Sequence, residues 1–108
     1  MSRRIVVRSA AAADVDHYFL YLAMDNEAVG YRFLAAVDMT YEKIAAWPGM
    51  GRPRESRHPD IAGIRSLAID GFPNHLVFYR VPDNESVRIL RVRHGAMDLN
   101  AVPMPDEE

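Results

Sequence analysis

The sequence predicts an α+β domain in the order strand, helix, helix, strand, strand, strand, with a helical hairpin packed on one face of an antiparallel sheet. Three patterns predict it. A β-branched run opens the chain, apolar side chains then recur at helical spacing as far as Ile44, and three short strand-like runs follow. At 108 residues the chain is long enough for one domain and too short for two.

The opening strand is expected at Arg4–Arg8, where the sequence reads RIVVR. Ser9 is a favourable N-cap for the first helix. Asp14 and Asp16 lie near the start of that helix, where the helix dipole favours carboxylates. The apolar side chains of this helix recur at helical spacing: Val15, Tyr18, Phe19 and Leu22.

A second helix follows almost at once. The apolar pattern breaks at Asp25, and Asn26 can cap the next helix. Trp47-Pro48-Gly49 ends that helix, because proline disfavours the helical conformation in the residue before it. Two helices with so short a connection form an antiparallel hairpin. The apolar stripe of the second helix consists of Val29, Phe33, Leu34, Val37, Tyr41 and Ile44.

The second half of the chain predicts a loop and then three strands. The proline-containing segment Met50–Asp60 is expected to be the loop. Alternation in the last strand places Val87 and Ile89 on one face. Leu90 and Val92 fall on the other face, so this strand is expected to be covered on both sides. The three strands are expected at Ile64–Ile69, His75–Val81 and Val87–Arg93.

Composition narrows the class of protein. The net charge of −2 and the pI near 6.1 give no bulk attraction to polyanions. The chain has no cysteine, which excludes a disulfide and a thiolate-ligated metal. No run approaches the roughly 20 apolar residues that a membrane span requires, and the N-terminus lacks the apolar core of a secretory signal. We expect a cytoplasmic domain with no membrane contact.

The sequence predicts neither a cofactor nor a metal site. Its glycines lack the strand-to-helix context of a nucleotide-binding loop. There is no G-x-S-x-G elbow and no cysteine nucleophile, so the common covalent hydrolase designs are excluded. The histidines are scattered without the spacing of a metal-ligand pair: His17, His58, His75 and His94.

Arginines on the predicted strands leave two interpretations open. In the first, Arg65 and Arg80 converge to grip a phosphodiester, with His94 as general acid or base. In the second, which we favour, the arginines pair with neighbouring acids or bind carboxylates of a partner protein. Four arginines lie on the last three strands: Arg65, Arg80, Arg91 and Arg93.

Four segments, taken in order, resemble one known family. They read WPGMGRPR, GIRSLAI, HLVFYRV and RILRVRHGAMDL, and they are similar to the ParE branch of the RelE/ParE toxin superfamily. The opening RIVVRSAAAADVDHYFLYLA also resembles the first strand and helix of that family. The resemblance covers about nine-tenths of the chain. It implies one toxin domain over residues 1–99 and leaves 100–108 as an acidic tail that we expect to be flexible.

The resemblance implies the toxin of a type II toxin–antitoxin pair. The expected partner is a small cognate antitoxin, ParD-like, with a ribbon–helix–helix DNA-binding domain. Its C-terminal segment would be disordered when free and would become ordered on the toxin. No sequence-specific DNA binding by the toxin itself is expected.

Two mechanisms occur in the superfamily. ParE-like members poison DNA gyrase, whereas RelE-like members cleave mRNA on the ribosome. This chain departs from the RelE pattern, since its net charge is −2, its last tyrosine is Tyr79 and its only lysine, Lys43, lies on the second helix. The resemblance therefore favours a gyrase inhibitor that is not an enzyme. The alternatives are an endoribonuclease that uses Arg65, Arg80 and His94, and a non-toxic homologue that only binds antitoxin.

Candidate binding residues follow from the resemblance and from alternation. Tyr21 and Tyr31 lie off the apolar stripes of the hairpin, so we expect them to be exposed. With Arg32, they are the candidates for antitoxin binding. The candidates for target binding lie at the end of the last strand: Arg91, Arg93, His94 and Asp98.

Overall fold

A helical hairpin packs against one face of a five-stranded sheet in the computed structural model, which describes residues 2–54 and 63–95. The predicted α+β class is confirmed, and the predicted elements occur in the predicted order, with one additional two-residue strand before the last three. In chain order the elements are β1 Arg4–Val7, α1 Ser9–Asp25, α2 Glu27–Ala46, a 3-10 turn Pro48–Met50, β2 Arg52–Pro53, β3 Arg65–Ile69, β4 Phe72–Arg80 and β5 Ser86–His94.

The sheet is mixed, so the prediction of a purely antiparallel sheet is wrong. The strand order is β1-β5-β4-β3-β2, and β1 runs parallel to β5 with Arg4 opposite Ser86. The reason lies in the hairpin, because α2 returns the chain to the start of β1, where the Arg3 amide donates to the Ala45 carbonyl at 3.0 Å. β3 therefore begins at the same end of the sheet as β1. After two antiparallel turns, β5 runs in the direction of β1.

The predicted loop after α2 contains regular structure. The 3-10 turn follows α2 directly, and β2 pairs with β3, with Arg52 opposite Ser66. β2 is two residues long and ends in Pro53, which has no backbone N–H to donate. Residues 55–60 of that loop lie outside the described residues, as do residues 61 and 62.

The helix boundaries confirm one predicted cap and correct the other. Asn26 caps α2, and its side-chain oxygen accepts from two amides of the first turn at 3.0 and 3.3 Å. Ser9 is the first helical residue of α1, so the prediction that it is the N-cap is wrong. Arg8 is the N-cap and the single residue between β1 and α1, and its amide still belongs to the sheet, where it donates to the Ile89 carbonyl.

A small residue allows the two helices to approach closely. A Cβ atom on Gly30 would lie 2.8 Å from the Cβ atom of Ala23. No real side chain tolerates that distance without a shift of the helices. Since Asn26 is the only residue between α1 and α2, the hairpin has little freedom to widen and accommodate one.

A bulge lets β5 contribute to both faces of the sheet. Phe78 of β4 pairs with Arg91 of β5, whereas the next residue, Tyr79, pairs with Ile89. Leu90 therefore has no partner on β4 and forms a β-bulge. Leu90 packs in a small cluster with Ile64 on the face away from the helices. Val92 joins Val87 in the main core between hairpin and sheet. The prediction that Val92 lies on the face opposite Val87 is wrong, because alternation breaks at the bulge.

Two buried tyrosines differ in what their hydroxyls contact. The Tyr79 hydroxyl accepts from the Gly51 amide at 2.8 Å and donates to the Pro48 carbonyl at 2.7 Å. It thereby fixes the 3-10 turn to the sheet. The Tyr41 hydroxyl is buried and has no hydrogen-bond partner in the described part of the chain. Burial, reinforced by the Asp38 carboxylate, raises the pKa of Tyr41.

Replacing each tyrosine with phenylalanine should affect the stability of the fold differently. We expect Tyr79→Phe to lower the free energy of unfolding by about 1–3 kcal/mol, because it leaves the buried Gly51 amide and the partly buried Pro48 carbonyl without this partner. Tyr41→Phe should leave that free energy unchanged or raise it, since the hydroxyl that it removes has no partner. Denaturant titration followed by circular dichroism measures both variants. Equal losses in the two variants would contradict this account.

Candidate interaction surfaces

Side chains of α1 take the place of a neighbouring strand along the C-terminal half of β5. β1 accompanies β5 only as far as Ile89. Beyond it, Asp14 Oδ2 accepts from the Val92 amide at 3.0 Å, and the Tyr18 hydroxyl accepts from the His94 amide at 3.0 Å. Asp14 and Tyr18 are four residues apart, which corresponds to a rise of about 6 Å along a helix. Val92 and His94 are two residues apart, which corresponds to about 6.7 Å along a strand. Asp14 and Tyr18, one turn apart, therefore match alternate amides of β5.

The Asp14 carboxylate also binds Arg91. Arg91 Nε lies 2.7 Å from Oδ2 and Nη2 lies 2.9 Å from Oδ1, a two-pronged contact to a residue that is 9% exposed. The hydrogen bond to Asp14 raises the pKa of the Arg91 guanidinium, which keeps it charged. Arg93 Nη1 lies 3.8 Å from the same carboxylate, and its side chain is 29% exposed. Of the two arginines, Arg93 is the more accessible, whereas Arg91 is held against α1.

His75 forms the floor of a cleft between α1 and the end of β5. The residue is 8% exposed, and its ring packs edge-on against Tyr18 and His94, with centroid distances of 5.0 and 4.8 Å. Burial, and then the neighbouring His94, lower the pKa of His75, so its neutral form is favoured. The cleft has a volume of about 270 Å³ and is lined by His17, Tyr18, Tyr21, Leu22, His75 and His94.

An exposed apolar stripe on α1 borders this cleft. Leu20, Tyr21 and Met24 are 60, 70 and 87% exposed, and their spacing places them on one side of the helix. A second cleft shares Tyr21 and Leu22 with the first, so the two are continuous. This second cleft is lined by Tyr21, Leu22, Met24, Asp25 and Val29. We refer to the stripe and the two clefts as the hairpin surface.

The candidates for antitoxin binding do not form one surface, because Tyr21 of α1 and Tyr31 of α2 lie on opposite sides of α1. The predicted exposure of Tyr21 and Tyr31 is confirmed, and Arg32 is exposed as well. The Tyr31 ring packs against Phe19 with a centroid distance of 5.2 Å. Phe19 is about 160° around α1 from Tyr21. Tyr21 therefore belongs to the hairpin surface, whereas Tyr31 lies on the other side of the helix.

The residues of the endoribonuclease interpretation do not come together. Arg65 lies opposite Tyr79 on β4. His94 lies opposite His75, roughly 13 Å further along the same strand. Arg80 follows Tyr79 directly, so alternation directs it to the opposite face of the sheet. A phosphodiester cannot reach all three side chains at once in this arrangement.

The target-binding candidate Asp98, the acidic tail 100–108 and His58 lie outside the described residues. Within residues 2–54 and 63–95, no three histidine, aspartate or glutamate side chains are grouped so that they could hold a metal ion. Over the same two ranges, no helix is long and apolar enough to cross a membrane.

The role of Asp14 was missed in the sequence. The first turn of α1 has no acidic residue, and Asp14 is buried against β5. A signal was present, because Asp14 falls three residues after the buried Ala11 and four before Tyr18, on the side of α1 that faces the core. A carboxylate among core positions requires a cation or amide as partner, and the arginines of the last strand were available.

Removing the Asp14 charge should destabilise the fold. We expect Asp14→Asn to lower the free energy of unfolding by about 3 kcal/mol or more, because it leaves the Arg91 guanidinium without its carboxylate. Asp16→Asn, on the exposed side of the same helix, is the matched control and should change that free energy by less than about 0.5 kcal/mol. Denaturant titration of the two variants tests this. A similar loss in both would show that Asp14 has no special role.

Protonation of His75 at low pH should lower the free energy of unfolding. Its pKa in the folded chain lies below the ordinary value of 6.5, so the unfolded chain binds the proton first as the pH falls. The contribution of neutral His75 is complete above about pH 6.5 and declines as the pH falls towards the folded-state value. We expect His75→Phe to flatten the fall in unfolding free energy between about pH 7 and pH 5. Identical pH profiles for wild type and His75→Phe would refute the assignment.

Comparison with known proteins places the chain in a family. Residues 5–99 match the sequence model of the ParE toxin of the type II toxin–antitoxin system parDE. The chain is 36% identical over 94 residues to Toxin ParE1 of Caulobacter vibrioides, covering 84% of this chain and 88% of that protein.

Two solved structures share the fold. One is the chromosomal ParDE toxin–antitoxin system of P. aeruginosa, with a TM-score of 0.68, 19% identity, and coverage of 88% of this chain and 98% of that one. The other is the RelBE2 toxin–antitoxin complex of Mycobacterium tuberculosis, with a TM-score of 0.57, 21% identity, and coverage of 87% and 99%. Sequence and fold therefore agree. The chain belongs to the ParE toxin family of type II toxin–antitoxin systems.

Proposed function

We propose that this toxin is neutralised by a small ParD-like antitoxin, with a ribbon–helix–helix domain, that binds the hairpin surface. The observation that carries the proposal is the exposed stripe of Leu20, Tyr21 and Met24 beside two continuous clefts. Exposed apolar side chains grouped in this way mark binding sites for other proteins. The two structural relatives are toxin–antitoxin systems, which supports an antitoxin as the occupant.

The shape of the hairpin surface favours an amphipathic helical segment. Such a segment presents apolar side chains at intervals of three and four residues, and those side chains enter a groove. One of them would fill the cleft above His75, and another the adjoining cleft beside Met24. A segment that is disordered when free and folds on this surface would contact both clefts.

The same occupant would block the target. His94 lines the cleft above His75, and Arg93 precedes it on β5. We place Arg93, His94 and Asp98 in the target-binding surface, with Arg91 as a positioning residue that acts through Asp14. An antitoxin segment on the hairpin surface therefore covers His94 directly. Neutralisation then requires only competition for one end of the molecule.

DNA gyrase is the target that we propose, with inhibition by binding and not by catalysis. The separation of Arg65, Arg80 and His94 supports this choice, because endonucleolytic cleavage requires such groups around one phosphodiester. The net charge of −2 also gives little attraction to the RNA-lined sites of a ribosome. Growth inhibition would follow from the blocked enzyme.

Truncating the hairpin surface should weaken antitoxin binding. We expect the double variant Tyr21→Ala/Met24→Ala to raise the Kd for the purified cognate antitoxin by at least about tenfold, since both side chains become buried in the complex. Isothermal titration calorimetry measures the change. Met39→Ala is the matched control, because this α2 methionine is 59% exposed and lies outside the hairpin surface. An unchanged Kd in the double variant would place the antitoxin elsewhere.

Tyr31→Ala and Arg32→Ala, measured in the same way, show how far the antitoxin extends. We expect each to raise the Kd if the bound segment also crosses the other side of α1. No change in either would confine the antitoxin to the side that carries Tyr21.

A supercoiling assay tests the proposed target. Purified toxin, gyrase and plasmid, with ATP, should accumulate linear DNA linked to gyrase, and prior addition of antitoxin should prevent it. Arg93→Glu should raise the toxin concentration needed for half-inhibition of gyrase, because it reverses the charge of the more accessible of Arg91 and Arg93. Message cleavage in a translating extract, with gyrase unaffected, would instead support the endoribonuclease alternative. No effect in either assay and no growth arrest would indicate a non-toxic homologue.

A further inference from the structure

A second exposed apolar patch lies at the other end of α2. Trp47, the single tryptophan of the chain, is 68% exposed, and Met50 is 50% exposed. The two side chains border a shallow cleft. We refer to the residues that line it as the Trp47 corner: Arg3, Ala46, Trp47, Pro48, Gly49 and Met50.

Buried groups hold this corner in a fixed conformation. The Tyr79 hydroxyl bonds both the Pro48 carbonyl and the Gly51 amide, as described above. Arg65 Nη1 donates to the Gly51 carbonyl at 2.8 Å. A Cβ atom on Gly51 would lie 2.3 Å from the Tyr79 hydroxyl oxygen, so only glycine fits there. The exposed tryptophan is therefore presented on a turn that is already ordered, which lowers the entropy cost of binding.

Positive charge lies at the corner. Arg3 lines the cleft, and its buried Nε has no hydrogen-bond partner among the described residues. Arg4 and Arg52, both exposed, follow the corner residues Arg3 and Met50 closely in the chain. A carboxylate on a bound segment would pair with the Arg3 guanidinium at the edge of the cleft, and apolar side chains would cover Trp47. These features fit an acidic protein segment that carries a large apolar side chain.

The corner and the hairpin surface are far apart. α2 has 20 residues and therefore measures about 30 Å, with Trp47 directly after its C-terminal end. The hairpin surface lies around the C-terminal half of α1 and the start of α2. A segment bound at the hairpin surface thus leaves the Trp47 corner accessible.

We propose that the Trp47 corner is a second contact surface for the protein that this toxin inhibits, and that it binds an acidic segment with a large apolar side chain. This inference rests on the proposed function, since it assumes an inhibited protein target. It adds a rigid tryptophan anchor at the opposite end of the molecule from His94. Buried tryptophans are among the strongest contributors to protein interfaces.

Trp47→Ala tests the inference directly. We expect it to raise the toxin concentration for half-inhibition of gyrase by at least about tenfold, and to abolish growth arrest at expression levels where wild type arrests growth. The Kd for antitoxin should stay within about twofold of the wild-type value. Met50→Ala should act in the same direction, and Met39→Ala is the matched exposed control. Circular dichroism establishes that each variant is folded.

The outcomes separate the inference from the proposed function. If wild type inhibits gyrase and Trp47→Ala is equally potent, the corner is not a target contact and the proposed function stands. If wild type arrests growth without affecting gyrase and without cleaving message, and Trp47→Ala does not arrest growth, the target is another protein and the corner is supported. If wild type does not arrest growth, both are overturned. A large loss of antitoxin affinity in Trp47→Ala would assign the corner to the antitoxin and overturn the inference.

A spectroscopic measurement identifies the occupant. Fluorotryptophan incorporated into this chain gives one fluorine NMR signal, because Trp47 is the only tryptophan. We expect this signal to shift or broaden on addition of purified gyrase, and to stay unchanged on addition of antitoxin. Arg3→Gln should weaken the response to gyrase and its dependence on salt. A shift with single-stranded DNA and none with gyrase would assign the corner to nucleic acid and overturn the inference.

Discussion

The placement of α1 depends on one buried carboxylate. Asp14 satisfies an amide of β5 that has no neighbouring strand and neutralises the guanidinium of Arg91 on the same strand. These contacts, with the one from Tyr18, attach the helix along the open side of the sheet, and through the helix they place Tyr21 and the cleft above His75. The interaction that stabilises the fold is thus also the one that positions the hairpin surface.

The two ends of the molecule use different physical means to present apolar side chains. At the hairpin surface, a regular helix exposes a stripe beside clefts, which suits a partner segment that adapts its own shape. At the Trp47 corner, an irregular turn is fixed by a buried hydroxyl and an arginine, which suits a partner that is already folded. A toxin that binds an inhibitor and a target, as proposed above, would use surfaces of both kinds.

Local signals in the sequence predicted the elements, while long-range pairing was beyond them. Asn26 and Pro48 set the ends of α2 through capping and steric rules that involve only nearby residues. The parallel pairing of β1 with β5 depends on where α2 delivers the chain, and the position of Val92 depends on a bulge against β4. Neither feature can be predicted from a short segment of sequence. The burial of Asp14 could be predicted from its spacing on the core-facing side of α1, but its partners on β5 could not.

Pro53 has a consequence for the behaviour of the free protein. Exposed strand edges promote association between molecules, because their unpaired amides and carbonyls bind further strands. Here β2 is two residues long and lacks one of those amides, α1 covers the open half of β5, and the Arg3 amide at the start of β1 is taken by Ala45. These features leave little unpaired backbone at β2 and along the C-terminal half of β5. Edge-to-edge pairing through these two strands is therefore disfavoured in the free protein.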